Sequence, residues 1–201
     1  MSALLQRPRR PAQPQRGQSL VEFTLVFPIL LLLLLTVADF GRYFAAGIAV
    51  ESIARTAAEV GATHLVQEGA AVDTAGYGRI HNAVWQSVCE EASTLPNVTY
   101  NGPGLQCDDI ATLVCVHDGV DPSCGSVYNE TSTPPSACAS FATTPSNSVG
   151  VSESSRHVEV RVCYRFSTLL PMDIPFIGGT LSPLSGDFFI DRTRMFSVMD
   201  Y

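Results

Sequence analysis

Between Leu20 and Ala38 the chain is apolar at almost every position, and Glu22 is the only charge in the run. At about 1.5 Å per residue this stretch spans roughly 28 Å, close to the hydrocarbon thickness of a bilayer. It predicts a membrane-spanning helix, with Pro28 as a tolerated interruption or kink. The helical period does not stop at Ala38. Phe40, Phe44 and Ile48 recur at helical spacing, and Glu51, Arg55 and Glu59 are placed for i,i+4 charge pairs. Asp39 and Arg42 are placed for an i,i+3 pair just outside the membrane. One helix is expected from about Gln18 to about Val66, weakened by Gly41, Gly47 and Gly61 at about 1 kcal/mol each. Those glycines mark candidate points of close packing.

Farther on, the period changes several times. Residues 69–78 carry three glycines and read as a loop. "RIHNAVWQSVCEEAS" returns to helical spacing, with Ile80, Val84, Trp85 and Val88 on one face, and Leu95-Pro96 ends it. "NVTYN" and "IATLVCVHD" read as short strands. Residues 118–150, rich in Pro, Ser, Thr, Gly and Cys, read as a long loop pinned by Cys124 and Cys138. "HVEVRVCYRF" alternates strictly. Val158, Val160, Val162, Tyr164 and Phe166 point one way, and Glu159, Arg161, Cys163 and Arg165 point the other, as in an antiparallel sheet with one solvated face. "STLLPMDIPFIGGTLSPLSG" is an apolar loop, either core or lying on a membrane or partner. "DFFIDRTRMFSVM" reads as a final strand. The order predicts an α+β fold: a long N-terminal helix, then a second helix on a small antiparallel sheet, with loops stapled by disulfides.

Charge adds a direction. Of the 12 basic residues, all Arg, four (Arg7, Arg9, Arg10, Arg16) precede the apolar run; the remainder carries 8 basic and 19 acidic residues, 8 − 19 = −11. The Arg bias keeps the N-terminus cytoplasmic and exports the body. An acidic body argues against nucleic acid as a partner. The expected organisation is a basic leader (1–17), a transmembrane helix (18–38), its extracytoplasmic continuation (39–68) and an exported α+β domain (69–201).

All six cysteines (Cys89, Cys107, Cys115, Cys124, Cys138, Cys163) follow the apolar run. An even count on the exported side reads as up to three disulfides, with buried free thiols as the alternative and the pairing open. Catalytic signatures are missing. His64, His81, His117 and His157 are scattered, with no zinc spacing, nucleophile elbow or phosphate loop. Asp108, Asp109, Asp118 and Asp121 are dense enough for a divalent cation, yet match no EF-hand, and a solvated acidic loop is the simpler account. Neither an enzyme, a metal nor a cofactor is expected. Asn97-Val98-Thr99 and Asn129-Glu130-Thr131 are sequons of low specificity.

One feature stays unexplained by an ordinary anchor. A charge at membrane depth costs on the order of 3 kcal/mol on insertion scales, and Glu22 is such a charge. Gly17, then Glu22 and Phe23, then Pro28 in a Leu-rich run, then Asp39-Phe40-Gly41-Arg42, together resemble the N-terminal pattern of TadE-like minor pseudopilins of tight-adherence (Flp) pilus systems. The resemblance covers about residues 16–62; the related TadF type shares much of it. It implies cleavage by a prepilin peptidase after Gly17, making Gln18 the new N-terminus and Glu22 its fifth residue. It implies that Glu22 and Phe23 set assembly and register, and that residues 39–42 mark the membrane boundary. The implied partners are the peptidase, the major Flp-type pilin, other minor pseudopilins, the inner-membrane assembly platform and membrane lipid. Two alternatives compete: an anchored exported binding domain unrelated to pili, and a soluble protein released by signal peptidase after Ala38.

Overall fold

The protein is described by a computed structural model, which covers residues 18–99, 107–120, 122–127, 138, 155–168, 174–176, 179–181 and 188–198. It divides into two compact units, Met1–Phe40 and Gly41–Tyr201.

Helix α1 runs Gln18–Glu68, with Pro28 inside it. The proline has no N–H to give to the carbonyl one turn earlier, so one ladder bond is lost while the helix continues. Thr24 and Thr36 turn their hydroxyls onto the carbonyls of Leu20 and Leu32, each at 2.8 Å. In the first unit every side chain across residues 19–34 is exposed. A helix of Leu, Ile, Val and Phe with nothing covering it is long and apolar enough to cross a membrane.

Within the second unit α1 changes character. Ala46, Val50, Ile53, Ala54, Ala57, Ala58, Ala62 and Leu65 are buried, a stripe at helical spacing made mostly of alanine. The small residues bring the helix close to the sheet. Gly61 is the extreme case, because a methyl there would meet Val158 at 2.8 Å and Val84 at 2.9 Å. A methyl at Gly41 or Gly47 would meet nothing within 4 Å, so among the described residues the close packing expected at three glycines is seen at Gly61. The helix ends at Gly69, whose φ of +86° is readily adopted only by glycine and suits a helix C-terminus. Arg156 donates to the Leu65 carbonyl at 2.8 Å and also to that of Gly69. Arg79 grips Glu68 with two bonds of 2.7 and 2.6 Å.

Helix α2 is Thr74–Ala92. It starts inside the stretch expected to be a loop. Asp73 caps it by accepting from the Gly76 N–H at 2.6 Å. Gly76 is a helix residue held where a methyl would meet Val72 at 2.8 Å and Glu68 at 2.9 Å.

Four strands form one antiparallel sheet in the order β2-β1-β3-β6: β1 Ile110–His117, β2 Pro122–Val127, β3 His157–Phe166 and β6 Phe188–Ser197. Strands β4 Ile174–Phe176 and β5 Gly179–Leu181 pair separately. The α+β expectation holds. The even-numbered side chains of β3, Val158 to Phe166, enter one core with α1 and α2.

Four local expectations change. Asn97–Thr99 is not a strand, since Asn97 turns the chain at a φ of +70°; Tyr100 and Asn101 lie outside the described residues. The long loop contains β2, and the apolar loop contains β4 and β5. The second face of β3 is not simply solvated. Glu159 and Cys163 are buried, and Ala111, Cys138 and Cys163 form a small cluster against Phe189.

The cysteines pair as Cys89–Cys107, Cys115–Cys124 and Cys138–Cys163, with Cα separations of 5.6, 4.0 and 6.0 Å. Cys124 and Cys138 therefore anchor to β1 and β3 respectively. The first bridge ties the end of α2 to the approach to β1, and the second joins directly opposed residues of β1 and β2.

Candidate functional site

The residues expected to carry processing, register and the membrane boundary all lie along α1 or in its leader. Gly17 lies outside the described residues, and Gln18 is the first helical residue. Glu22 stands one turn farther on, since four residues advance the helix by about 6 Å. It is exposed on an otherwise apolar surface. Phe23 is exposed beside it, its ring 5.4 Å from that of Phe27. A carboxylate placed there needs a positive partner or water to offset the cost of leaving bulk solvent.

The four residues at the expected membrane boundary do not share one role. Phe40 is exposed and closes the first unit. Gly41 opens the second, with free space where a side chain would stand. Arg42 lays its guanidinium 5.3 Å from the centre of the Phe166 ring, a cation–π contact at the last residue of β3.

Sequence reasoning overlooked Tyr43. Its ring meets Phe166 edge-on at 5.6 Å and Phe188 at 6.0 Å. Those two residues are opposed in register, the last rung of the β3–β6 ladder. Glu51, spaced in sequence for a pair with Arg55, instead faces Arg192 at 3.6 Å and is bridged by Arg194. The signal was present: Arg192 and Arg194, two apart on a strand, share a face and need a common acid.

Elsewhere the charges staple the body. Arg161 holds Asp191 across β3 and β6, and the Asp191 carboxylate raises the guanidinium's proton affinity further. Glu68 is held below the usual carboxylate range by its hydrogen bond from Arg79. Tyr164 is pushed up to about 12 by burial, so it stays protonated and donates to the Pro96 carbonyl. Two of the four acidic residues considered for a cation site have partners of their own. Asp109 pairs with Arg165 at 2.5 Å, while Asp118 accepts from the Tyr77 hydroxyl at 3.0 Å and the Val120 N–H at 2.8 Å. Asp121 lies outside the described residues. Among the described residues no group of three or more His, Cys, Asp or Glu is placed to hold a metal.

The arrangement is an exposed apolar helix with one carboxylate near its start, grafted at its other half into a disulfide-bonded body. Residues 17–59 match the model of the family described as TadE-like protein. Over these residues the chain is similar to the TadE-like family. The match begins at Gly17, takes in Glu22, Pro28 and residues 39–42, and ends within the buried half of α1. The match supports a connection of this segment to the tight-adherence pilus system. No curated protein and no solved structure matches the chain.

Proposed function

We propose that this TadE-like chain is a minor pseudopilin that helps to assemble an adhesive tight-adherence pilus. The apolar half of α1 anchors it once in the inner membrane, N-terminus in the cytoplasm and the α+β body on the outer side. The three disulfides support an oxidising compartment for that body. A prepilin peptidase removes residues 1–17. The observation that carries this reading is the TadE-like match, which begins at the residue after which cleavage would fall.

Cleavage changes the electrostatics of the helix start. A new α-ammonium on Gln18 provides a cation about one helical turn from the Glu22 carboxylate. Between neighbouring subunits such a pair offsets part of both desolvation costs and fixes the axial register. Before cleavage that cation does not exist, so processing converts Glu22 into a docking group. The partners are the peptidase, the major pilin, other minor pseudopilins and the assembly platform. No catalytic step is assigned to any residue.

The test is intact mass with N-terminal peptide mapping of the protein from its native membrane. An N-terminus at Gln18 that disappears in a peptidase-deficient strain supports the reading. An N-terminus at Asp39 makes the protein a secreted one, and an intact leader makes it an ordinary signal anchor.

A further inference from the structure

The three disulfides differ in what a thiol in solution can reach. Cys89, Cys107, Cys115, Cys138 and Cys163 are buried, whereas Cys124 is half-buried. Thiol–disulfide exchange needs a thiolate to approach one sulfur of the bridge, so access decides which bridge reacts first. That sets Cys115–Cys124 apart from the other two.

The strand it fastens has little else to keep it in place. β2 is an edge of the four-stranded sheet, with β1 as its hydrogen-bonded neighbour. Its sequence, "PSCGSV", is poor in residues that favour strands. Opposite the buried Val114 and Val116 of β1 stand Gly125 and Ser123, which offer little apolar surface. Six residues are paired, Thr112–His117 with Pro122–Val127, and the bridge joins one opposed pair among them. The other bridges fasten elements that have support of their own. Cys163 lies in β3, which is flanked by β1 and β6, and Cys89 lies on the buried face of α2.

We propose that Cys124 is a thiol–disulfide exchange site and that its bridge is a redox latch on β2. The reactant is a reduced dithiol, of the kind carried by an oxidoreductase with two neighbouring thiols. Its thiolate attacks Cys124 Sγ and forms a mixed disulfide. The bond to Cys115 breaks, and the Cys115 sulfur leaves as a thiolate that takes up a proton. The second thiol of the reactant, as its thiolate, attacks the mixed disulfide and releases Cys124, which is protonated in turn. The bridge gains two electrons and two protons, and the dithiol loses as many and becomes a disulfide. With the bridge open β2 parts from β1, and the backbone of Thr112–His117 becomes a free sheet edge. The inference rests on the fold and is independent of the pilus reading.

The test uses the purified full-length protein in detergent micelles. Limiting dithiothreitol is added, the reaction is stopped by alkylation at intervals, and the labelled cysteines are mapped by peptide mass. Label should reach Cys115 and Cys124 about tenfold sooner than the other four cysteines. A thioredoxin whose second active-site cysteine is serine should be trapped as a mixed disulfide on Cys124. Hydrogen exchange of the partly reduced protein should quicken across β2 while β3 keeps its protection. The double variant Cys115→Val, Cys124→Val should show the same loosened β2 without reductant. Label arriving first at another bridge, or at all six cysteines together, overturns the proposal. So does thioredoxin trapped elsewhere or not at all. A β2 that stays protected after its bridge is reduced overturns the latch.

Discussion

Gly61 of α1 and Val158 of β3 are so close that a single added methyl would stand 2.8 Å from the valine's Cγ1. Here α1 lies so close to β3 that a larger residue needs the neighbours to move. Overpacking of this kind costs about 1–3 kcal/mol, set against about 1 kcal/mol of helix propensity regained by alanine. Gly61→Ala should therefore lower the denaturation midpoint of the body. Gly47→Ala, with nothing within 4 Å, should raise it by the equivalent of about 1 kcal/mol. A pair of variants that moved in the same direction would contradict the assignment of Gly61 to the contact.

Arg156 closes the carboxyl end of α1 through the Leu65 and Gly69 carbonyls. Hydrogen bonds from charged groups contribute about 1.5–3 kcal/mol. Arg156→Met keeps the aliphatic length and removes the donors. Hydrogen exchange should then quicken at residues 65–69 with α2 unchanged, and unaltered protection there would refute the cap.

The bridge between Cys89 and Cys107 closes a separation of 18 residues and holds the end of α2 near β1. Replacing both by serine should cost about 2–5 kcal/mol, read as a drop in thermal stability under oxidising conditions. Adding a reductant to that double variant should lower stability further, because two bridges remain.

Burial holds the His81 imidazole below its ordinary value of 6.5. The unfolded chain then binds this proton at a higher pH than the folded one does. Stability should fall as pH drops through 6.5 and stop falling below the lowered folded value. His81→Gln removes that contribution. The variant should lose less stability than the parent between about pH 7.5 and about pH 5.5 in matched denaturant titrations. Equal losses would show that His81 does not supply the linkage.

Glu22→Ala should leave membrane insertion intact, since it makes the span more apolar by about 3 kcal/mol on insertion scales. It should reduce the number of pili seen by electron microscopy. Normal piliation would remove Glu22 from assembly.

Long-period features were legible from the chain. The apolar helix, the amphipathic helix over Ile80 to Ala92, and β1, β3 and β6 all carry strong local patterns. What escaped depends on partners distant in sequence. Strand β2, "PSCGSV", contains Pro, Gly and two Ser, and none of them favours a strand; its pairing with β1 and the Cys115–Cys124 bridge place it there. The first turn of α2 was hidden by Gly76 and Gly78, because glycine reads as a breaker until Asp73 is seen to cap the helix. Tyr43 and Glu51 look like ordinary helix-surface residues, and only the fold brings Phe166, Phe188 and Arg194 to them.

The grip of Tyr43 on the Phe166–Phe188 rung has a mechanical consequence. From Gly41 onward α1 is a structural layer of the body, buried along its inner stripe from Ala46 to Leu65. Traction applied along the helix enters the body at an aromatic clasp on the sheet. From there it is shared over some five helical turns of side-chain contact. Pulling the body free would require sliding the whole helix out of its seat, so the load is borne in shear by many weak contacts at once.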